Sequence, residues 1–339
     1  MLDESSMLKA FMGKRKQLML EMFRNTPMRL CCSATPAPND HMEIGNHAAF
    51  LGVMESHIML QRFFLNDTGK DSLGKYRLKG HAVEDFWDWV HSWARCAGLP
   101  SDLSPTFCDE GYVLPELVVH KEIVSTDITV NTGFDKKRPK QAMLFRVNNL
   151  SATSVNKEKR LTISDRATRA AEIVAAEPGE QWIVWVYTNN EADEVKKALK
   201  AHNVEHKEVR GSDKLERKEA RLEAFTTGEI RVLITKPTIA GLGLNWQHCA
   251  RMVYVNPTFS FEDYYQSMRR CWRFGQTRPV HVYVIMATTE EGVWNLLMKK
   301  QAAHENMKKN MFAATRRAQH KHDIPPEYIT GAAELPLWL

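Results

Sequence analysis

The sequence predicts an α/β protein organised on a parallel sheet, and three observations carry that prediction. From Ser164 onward, short and nearly continuous apolar runs alternate with helical patterns, as they do where strands are buried on both faces. A loop with two glycines, Ala240-Gly241-Leu242-Gly243-Leu244-Asn245, follows one of these runs. A basic segment, Tyr264 to Gln276, follows the next.

Taken in order, the chain opens on Asp3-Glu4-Ser5-Ser6 and a helical pattern with Leu18, Met22 and Phe23 on one face, ending before Pro27. Met28 to Ser33 reads as a buried strand. It opens into the turn-rich loop Ala34-Thr35-Pro36-Ala37-Pro38-Asn39-Asp40, where Asn39 or Asp40 caps the next helix. Residues 55 to 110 are mostly helical. Phe86, Trp89 and Trp93 form one stripe with helical spacing and are expected in the core, whereas Trp87 falls off it and is expected at the surface. Residues 126–163 are basic and weakly patterned and read as a connector. Helices are expected at Ser164–Ala176, Glu191–His202, Asp213–Thr227, Phe261–Arg273 and Glu290–Phe312. Strands are expected at Trp182–Tyr187, Lys207–Val209, Arg231–Thr235, Met252–Val255 and Val280–Met286. The domains expected are therefore 1–125, the connector 126–163, 164–312, and a loosely held tail 313–339.

Composition narrows the function classes only slightly. A net charge of +5 permits a polyanionic partner without requiring one. No apolar run approaches the roughly 20 residues that span a bilayer, so no membrane role is expected. The six cysteines make no Cys-x-x-Cys pair, which argues against a zinc site or a disulfide framework and for a reduced, cytoplasmic setting.

Chemistry concentrates in two stretches. Glycines at 241 and 243 let backbone approach a ligand closely or take positive φ. On a continuous helix, Gln266, Arg270 and Arg273 sit four and then three residues apart and project from one face. A face with two arginines and a glutamine suits a nucleotide's terminal phosphate, although a solvated basic face has the same composition.

In this order the pieces resemble the C-terminal motor lobe of superfamily 2 helicases, especially the Swi/Snf-like branch. Ala240 to Asn245 match its Ala-Gly-x-Gly-Leu-Asn loop. Gln266, Arg270, Arg273, Gly275 and Gln276 match its Gln-x-x-x-Arg-x-x-Arg-x-Gly-Gln segment. Ser33-Ala34-Thr35 is similar to the family's Ser/Thr-Ala-Thr motif, and Asp3-Glu4 to the acidic pair of its DExx motif, as in DEAD/DEAH-type members. The run through Leu51-Gly52 is similar to phage and prophage helicases of this branch, most clearly at Ala34 to Asp40.

The resemblance implies a complete RecA-like C-terminal lobe preceded by an incomplete first RecA-like lobe, an ATP and Mg²⁺ requirement, and DNA as partner. It implies that Asp3 holds the metal and Glu4 positions the attacking water. Arg270 and Arg273 offset γ-phosphate charge, while Gly241, Gly243 and Gln266 shape the ATP cleft. Ser33, Ala34, Thr35 and Asn245 couple that cleft to nucleic acid. Family members also carry a phosphate-cradling Gly-Lys-Thr loop upstream of the acidic pair. Gly13-Lys14 and Gly69-Lys70 do not supply it, since Arg15 and Asp71 follow them. The expectation is a motor that starts partway through its first lobe, is completed by an upstream polypeptide and hydrolyses ATP negligibly alone. The other reading is a non-enzymatic nucleic-acid- or partner-binding remnant of such a motor.

Overall fold

A computed structural model describes residues 1–67, 75–125, 159–240 and 243–322, with the backbone of Phe134–Asp135 and Arg138–Ala142. The chain forms two compact units, Met1–Tyr112 with Ala302–Leu339, and Val113–Gln301.

In the first unit lie α1 (Lys14–Met22), α2 (Ile44–Leu51), α3 (Ser56–Phe63), the antiparallel hairpin β1 (Phe64–Asp67) and β2 (Lys75–Leu78), and α4 (Val83–Trp93). Its parallel pairing among the described residues is a single bridge, Leu2 to Cys31. The α1 face carrying Leu18 and Met22 is exposed, and the helix is held instead by Lys16. The Lys16 ammonium donates to Asn46 Oδ1 (2.7 Å), Ser56 Oγ (3.2 Å) and the Phe11 carbonyl (3.2 Å). Burial lowers its pKa by penalising the charged form.

Helix α4 turns a broader face inward than its spacing suggested, with Trp89 and Trp93 packed against the core that contains Phe86 and Trp87. Phe86, Trp87, Val90 and His91 are buried, while Trp89 and Trp93 are only half-buried. Trp87 is therefore core and has no surface role. It packs edge-on against His41 and Phe86. The side of α4 bearing His91 meets the C-terminal helix through Thr315, and Met307, Met311 and Ala314 join the same cluster. Those contacts order residues that the sequence assigns to a loose tail from 313. The helix runs to His322, and residues 323–339 lie outside the described set.

The second unit contains β3 (Leu117–Val124), the antiparallel pair β4 (Phe134–Asp135) and β5 (Arg138–Ala142), α5 (Ile163–Ala176), β6 (Trp182–Trp185), α6 (Asn189–Ala201), β7 (Lys207–Glu208), α7 (Leu215–Thr226), β8 (Val232–Thr235), α8 (Pro237–Ala240), β9 (Arg251–Tyr254), α9 (Phe261–Met268), β10 (Val280–Ala287) and the start of α10 (Glu291–His322). Most of the expected connector, 126–133, 136–137 and 143–158, lies outside the described residues. Six strands form one sheet in the order β3-β10-β9-β6-β8-β7, and every pairing is parallel. This is the parallel α/β sheet that the alternating apolar runs and helical patterns predict. Its first strand lies before the boundary expected at residue 125, because Leu117 to Val124 pairs with β10 along its whole length.

Successive strand residues serve opposite faces, which is why the runs are continuously apolar. Ile183 and Trp185 of β6 join Leu233, Met252, Tyr254 and the inner faces of α7 and α9. Trp182 and Val184 join Val232, Ile234, Val253 and helices α5 and α6.

The α5 face is also tied by a buried ion pair. Arg166 Nη2 donates to Glu290 Oε2, and both side chains are 1% exposed. Arg166 Nε donates to Thr162 Oγ1 at 2.7 Å, and Glu290 Oε2 also accepts the Ala287 amide at 3.1 Å. Removing one partner strands a buried charge. Glu290→Ala is therefore expected to cost about 3–5 kcal/mol in chemical denaturation, whereas the double Arg166→Met/Glu290→Leu variant should be close to neutral. A single-variant loss below about 1 kcal/mol would place the pair in the range of a solvated surface bridge.

Candidate functional site

The two chemical stretches meet within the second unit. Helix α9 starts at its N-cap Ser260, whose side chain accepts the Asp263 amide at 3.2 Å. It ends at Met268, five residues earlier than the spacing suggests. Past Met268 the ladder tightens, with Arg270 N–H bonding the Ser267 carbonyl at 3.2 Å, and the Arg270 carbonyl accepts the Trp246 amide at 2.9 Å. Arg269 closes the helix with φ −70° and ψ −1°, and residues 269–275 form tight turns. Arg270 and Arg273 are thus held on a turn rather than along one helical face.

That turn is fixed to the glycine loop by a single acceptor. Arg270 Nη1 donates to the Leu244 carbonyl at 2.9 Å, and Arg273 Nη1 donates to the same oxygen at 3.2 Å. Arg270 Nε also donates to the Gln266 carbonyl at 3.2 Å, so Gln266 contributes backbone to the site. Arg273 is half-buried and has no acidic partner among the described residues. The guanidinium carries five N–H donors, so one neutral carbonyl leaves most of its capacity and its full charge available to an anion. Between the arginines, burial beside Cys249 pushes the Cys271 thiol well up, which makes it inert at neutral pH.

The end of the turn depends on glycine. Gly275 has φ +88°, and a Cβ built there would sit 2.6 Å from the Gln247 side-chain oxygen. Gln276 is buried; its amide donates to the Cys249 carbonyl at 3.0 Å and accepts from the Thr277 and Arg278 amides. Gly243 has φ +74° and is exposed beside Asn245, which is exposed as well. Gly241 lies outside the described residues.

The remaining sequence-derived residues lie in the first unit. The Leu2–Cys31 bridge lays the chain before Asp3 parallel to the strand-like run before Ser33. Its bonds are Leu2 N–H to the Leu30 carbonyl (2.7 Å) and Cys32 N–H to the Leu2 carbonyl (3.0 Å). Asp3 is exposed, and its Oδ1 accepts the Glu4 amide at 3.0 Å. Glu4 has φ +50°. Ser33 Oγ accepts the Thr35 amide at 3.0 Å. Ala34 is exposed, and Thr35 is fully buried with its Oγ1 unpartnered among the described residues. Asp40 caps the following turn through the Met42 amide, while Asn39 binds Glu43.

No group of three or more His, Cys, Asp or Glu side chains able to hold a metal occurs among the described residues. An exposed carboxylate such as Asp3 is compatible with Mg²⁺, which commonly takes one or two carboxylates and completes its shell with phosphate oxygens and water. Nor is any described helix long and apolar enough to cross a membrane.

Sequence reasoning passed over three participants: the Leu244 carbonyl, Gln247 and Trp272. The Trp272 indole N–H donates to the Pro115 carbonyl at 2.8 Å. An aromatic between two arginines was visible as a signal, but its partner lies 157 positions away.

Residues 165–275 match the helicase conserved C-terminal domain family. The chain is similar to Helicase SWR1 of Yarrowia lipolytica, 24% identical over 182 residues that cover 53% of this chain and 10% of that protein. It is also similar to DNA excision repair protein CSB of Oryza sativa subsp. japonica, 28% identical over 122 residues covering 35% and 10%. It thus spans about a tenth of the length of these relatives. Among solved structures, the C-terminal part of the Fun30 ATPase domain aligns with TM-score 0.36 and 15% identity, covering 44% of this chain and 53% of that one.

The Gly275 geometry predicts that Gly275→Ala destabilises the second unit by about 1–3 kcal/mol, combining left-handed strain with the Gln247 collision. Denaturation of Gly275→Ala in a Gln247→Ala background should recover the collision and keep the strain. Full recovery would mean that φ at this position carries no cost.

Proposed function

We propose that this chain is the C-terminal part of a nucleic-acid-dependent ATPase, a Swi/Snf-like superfamily 2 motor that moves along DNA. The observation that carries the reading is Arg273: a half-buried guanidinium fixed by the Leu244 carbonyl and without an acidic partner among the described residues. The helicase C-terminal match over the same turn and the similarity to Helicase SWR1 support it.

In this reading the two arginines divide their work. Arg270 spends Nε and Nη1 on the carbonyls of Gln266 and Leu244 and holds the loop to the turn. Arg273 is the finger that meets the γ-phosphate of ATP, where such residues are worth about 10³–10⁵ in rate. Gly243, with φ +74°, lets the loop backbone approach a nucleotide, and Gly241 is assigned to the same cleft by its place in the motif. Asp3 would hold Mg²⁺ and Glu4 would orient the attacking water. When bound, Mg²⁺ neutralises charge building on the phosphoryl oxygens. Ser33, Ala34, Thr35 and Asn245 link nucleotide state to the nucleic-acid track.

The 339 residues contain no Gly-Lys followed by Ser or Thr, so turnover is expected once a polypeptide carrying such a phosphate loop is supplied. The likeness to phage and prophage members rests on Ala34 to Asp40 and belongs to the same proposal.

The test is ATP hydrolysis with and without DNA, for this chain alone and mixed with an N-terminal half-lobe bearing a phosphate loop. In the active form Arg273→Ala should lower kcat by at least about 10³ with folding stability unchanged. Arg270→Ala should lower both kcat and stability, because it removes two structural hydrogen bonds. An Arg273→Ala enzyme that keeps most of its turnover would falsify the finger assignment. Silence in every mixture, with salt-sensitive DNA binding retained, would favour a non-enzymatic nucleic-acid-binding role.

A further inference from the structure

The arginine turn is fixed on two sides, and only one of them is the glycine loop. On the other, the Trp272 indole N–H donates to the Pro115 carbonyl at 2.8 Å. Pro115 stands in the first residues of the second unit, which begins at Val113, and immediately before the outer strand β3. The neighbouring Glu116 carbonyl accepts the Val280 amide at 2.9 Å, so the same short segment also receives the first residue of β10. Trp272 and Leu117 are both half-buried and pack against the same core. Its outer face carries the Arg269 guanidinium, 5.1 Å from the ring centroid. Val113 to Glu116 lies outside the stretch that matches the helicase family.

We propose that Trp272 is a positioning residue. Its indole N–H fixes the arginine turn to residues 113–116, so the orientation of Arg273 depends on the segment by which the chain passes into the second unit. Besides the bond between Trp246 and the Arg270 carbonyl, the backbone bonds of the turn run back to α9, through Arg270 N–H to the Ser267 carbonyl (3.2 Å) and the Cys271 and Trp272 N–H groups to the Met268 carbonyl (3.2 and 3.1 Å), or stay within it, through Arg273 N–H to the Cys271 carbonyl (3.1 Å) and Gln276 N–H to the Arg273 carbonyl (3.1 Å). The indole N–H is the bond that reaches residues 113–116. Rotation of the turn about the Leu244 contact is opposed from the far side by the indole. An aliphatic or phenyl side chain could fill the same space and could not accept this task, because the Pro115 oxygen needs a donor. The inference rests on the proposed role of Arg273 for its catalytic consequence, and on geometry alone for its structural one.

The test uses Trp272→Phe, which keeps an aromatic body and removes the N–H. Hydrogen exchange on the 339-residue chain should show amides of residues 113–117 and 269–276 exchanging together about fivefold faster, a factor typical of one lost hydrogen bond. Amides of β6 should be unchanged. Unaltered exchange in both segments would overturn the proposal, as would acceleration throughout the second unit, which would mark Trp272 as ordinary packing. In the ATP-hydrolysing mixture the same variant should lower kcat about fivefold with KM for ATP within about twofold, the pattern of a displaced transition-state contact. A rise in KM with kcat unchanged would count against it. If Arg273→Ala leaves turnover intact, the finger reading fails while the exchange result still decides the anchoring of the turn.

Discussion

One backbone oxygen, that of Leu244, organises the chemistry of the second unit. It accepts from both Arg270 and Arg273, and the adjoining backbone returns a bond when Trp246 N–H reaches the Arg270 carbonyl. Two guanidiniums with like charge repel, and a shared neutral acceptor gives them a common position without neutralising either. Beyond that contact, Arg269 closes α9, and Gly275 takes positive φ with the Gln247 side chain lying where a Cβ would otherwise be.

The sheet beneath it was legible in the sequence for a simple reason. Each of β6, β8 and β9 is buried on both faces, so each appears as an apolar run that local composition alone reveals. Strand β3 was harder to place, because an outer strand alternates half-buried and exposed residues and its partner lies at the other end of the unit. Helix existence was legible and helix faces were not. In α4 the stripe through Phe86, Trp89 and Trp93 packs on the core as its spacing suggests, but Trp87 and His91 are buried as well, and their partners His41 and Thr315 come from distant parts of the chain.

For the candidate site, the residues were singled out by type and spacing, but their geometry was not legible. Gln266, Arg270 and Arg273 were expected along one helix, yet α9 ends at Met268, and the Arg270 carbonyl takes up a bond with Trp246 that no local pattern contains. The acidic pair and Ser33 to Thr35 were likewise marked by residue type. The single bridge from Leu2 to Cys31 shows that the two stretches adjoin in space as well. Lys16 gave no sequence signal, since a lysine in an otherwise charged helix start reads as solvated. Its burial depends on Asn46 and Ser56, which arrive from two later helices.

The order of strands has a consequence for how the chain is made. The outer strand β3 is synthesised first and pairs only with β10, the last strand of the unit; His120 and His281, hydrogen-bonded across that seam, are 161 positions apart. During elongation β3 therefore emerges with no neighbour, while β6 to β9 can already associate into the middle of the sheet. Closing so long a loop comes late and slowly. Until the ribosome has released β10, the segment leading into the unit is an unpaired edge, and the arginine turn has nothing to lean on from that side.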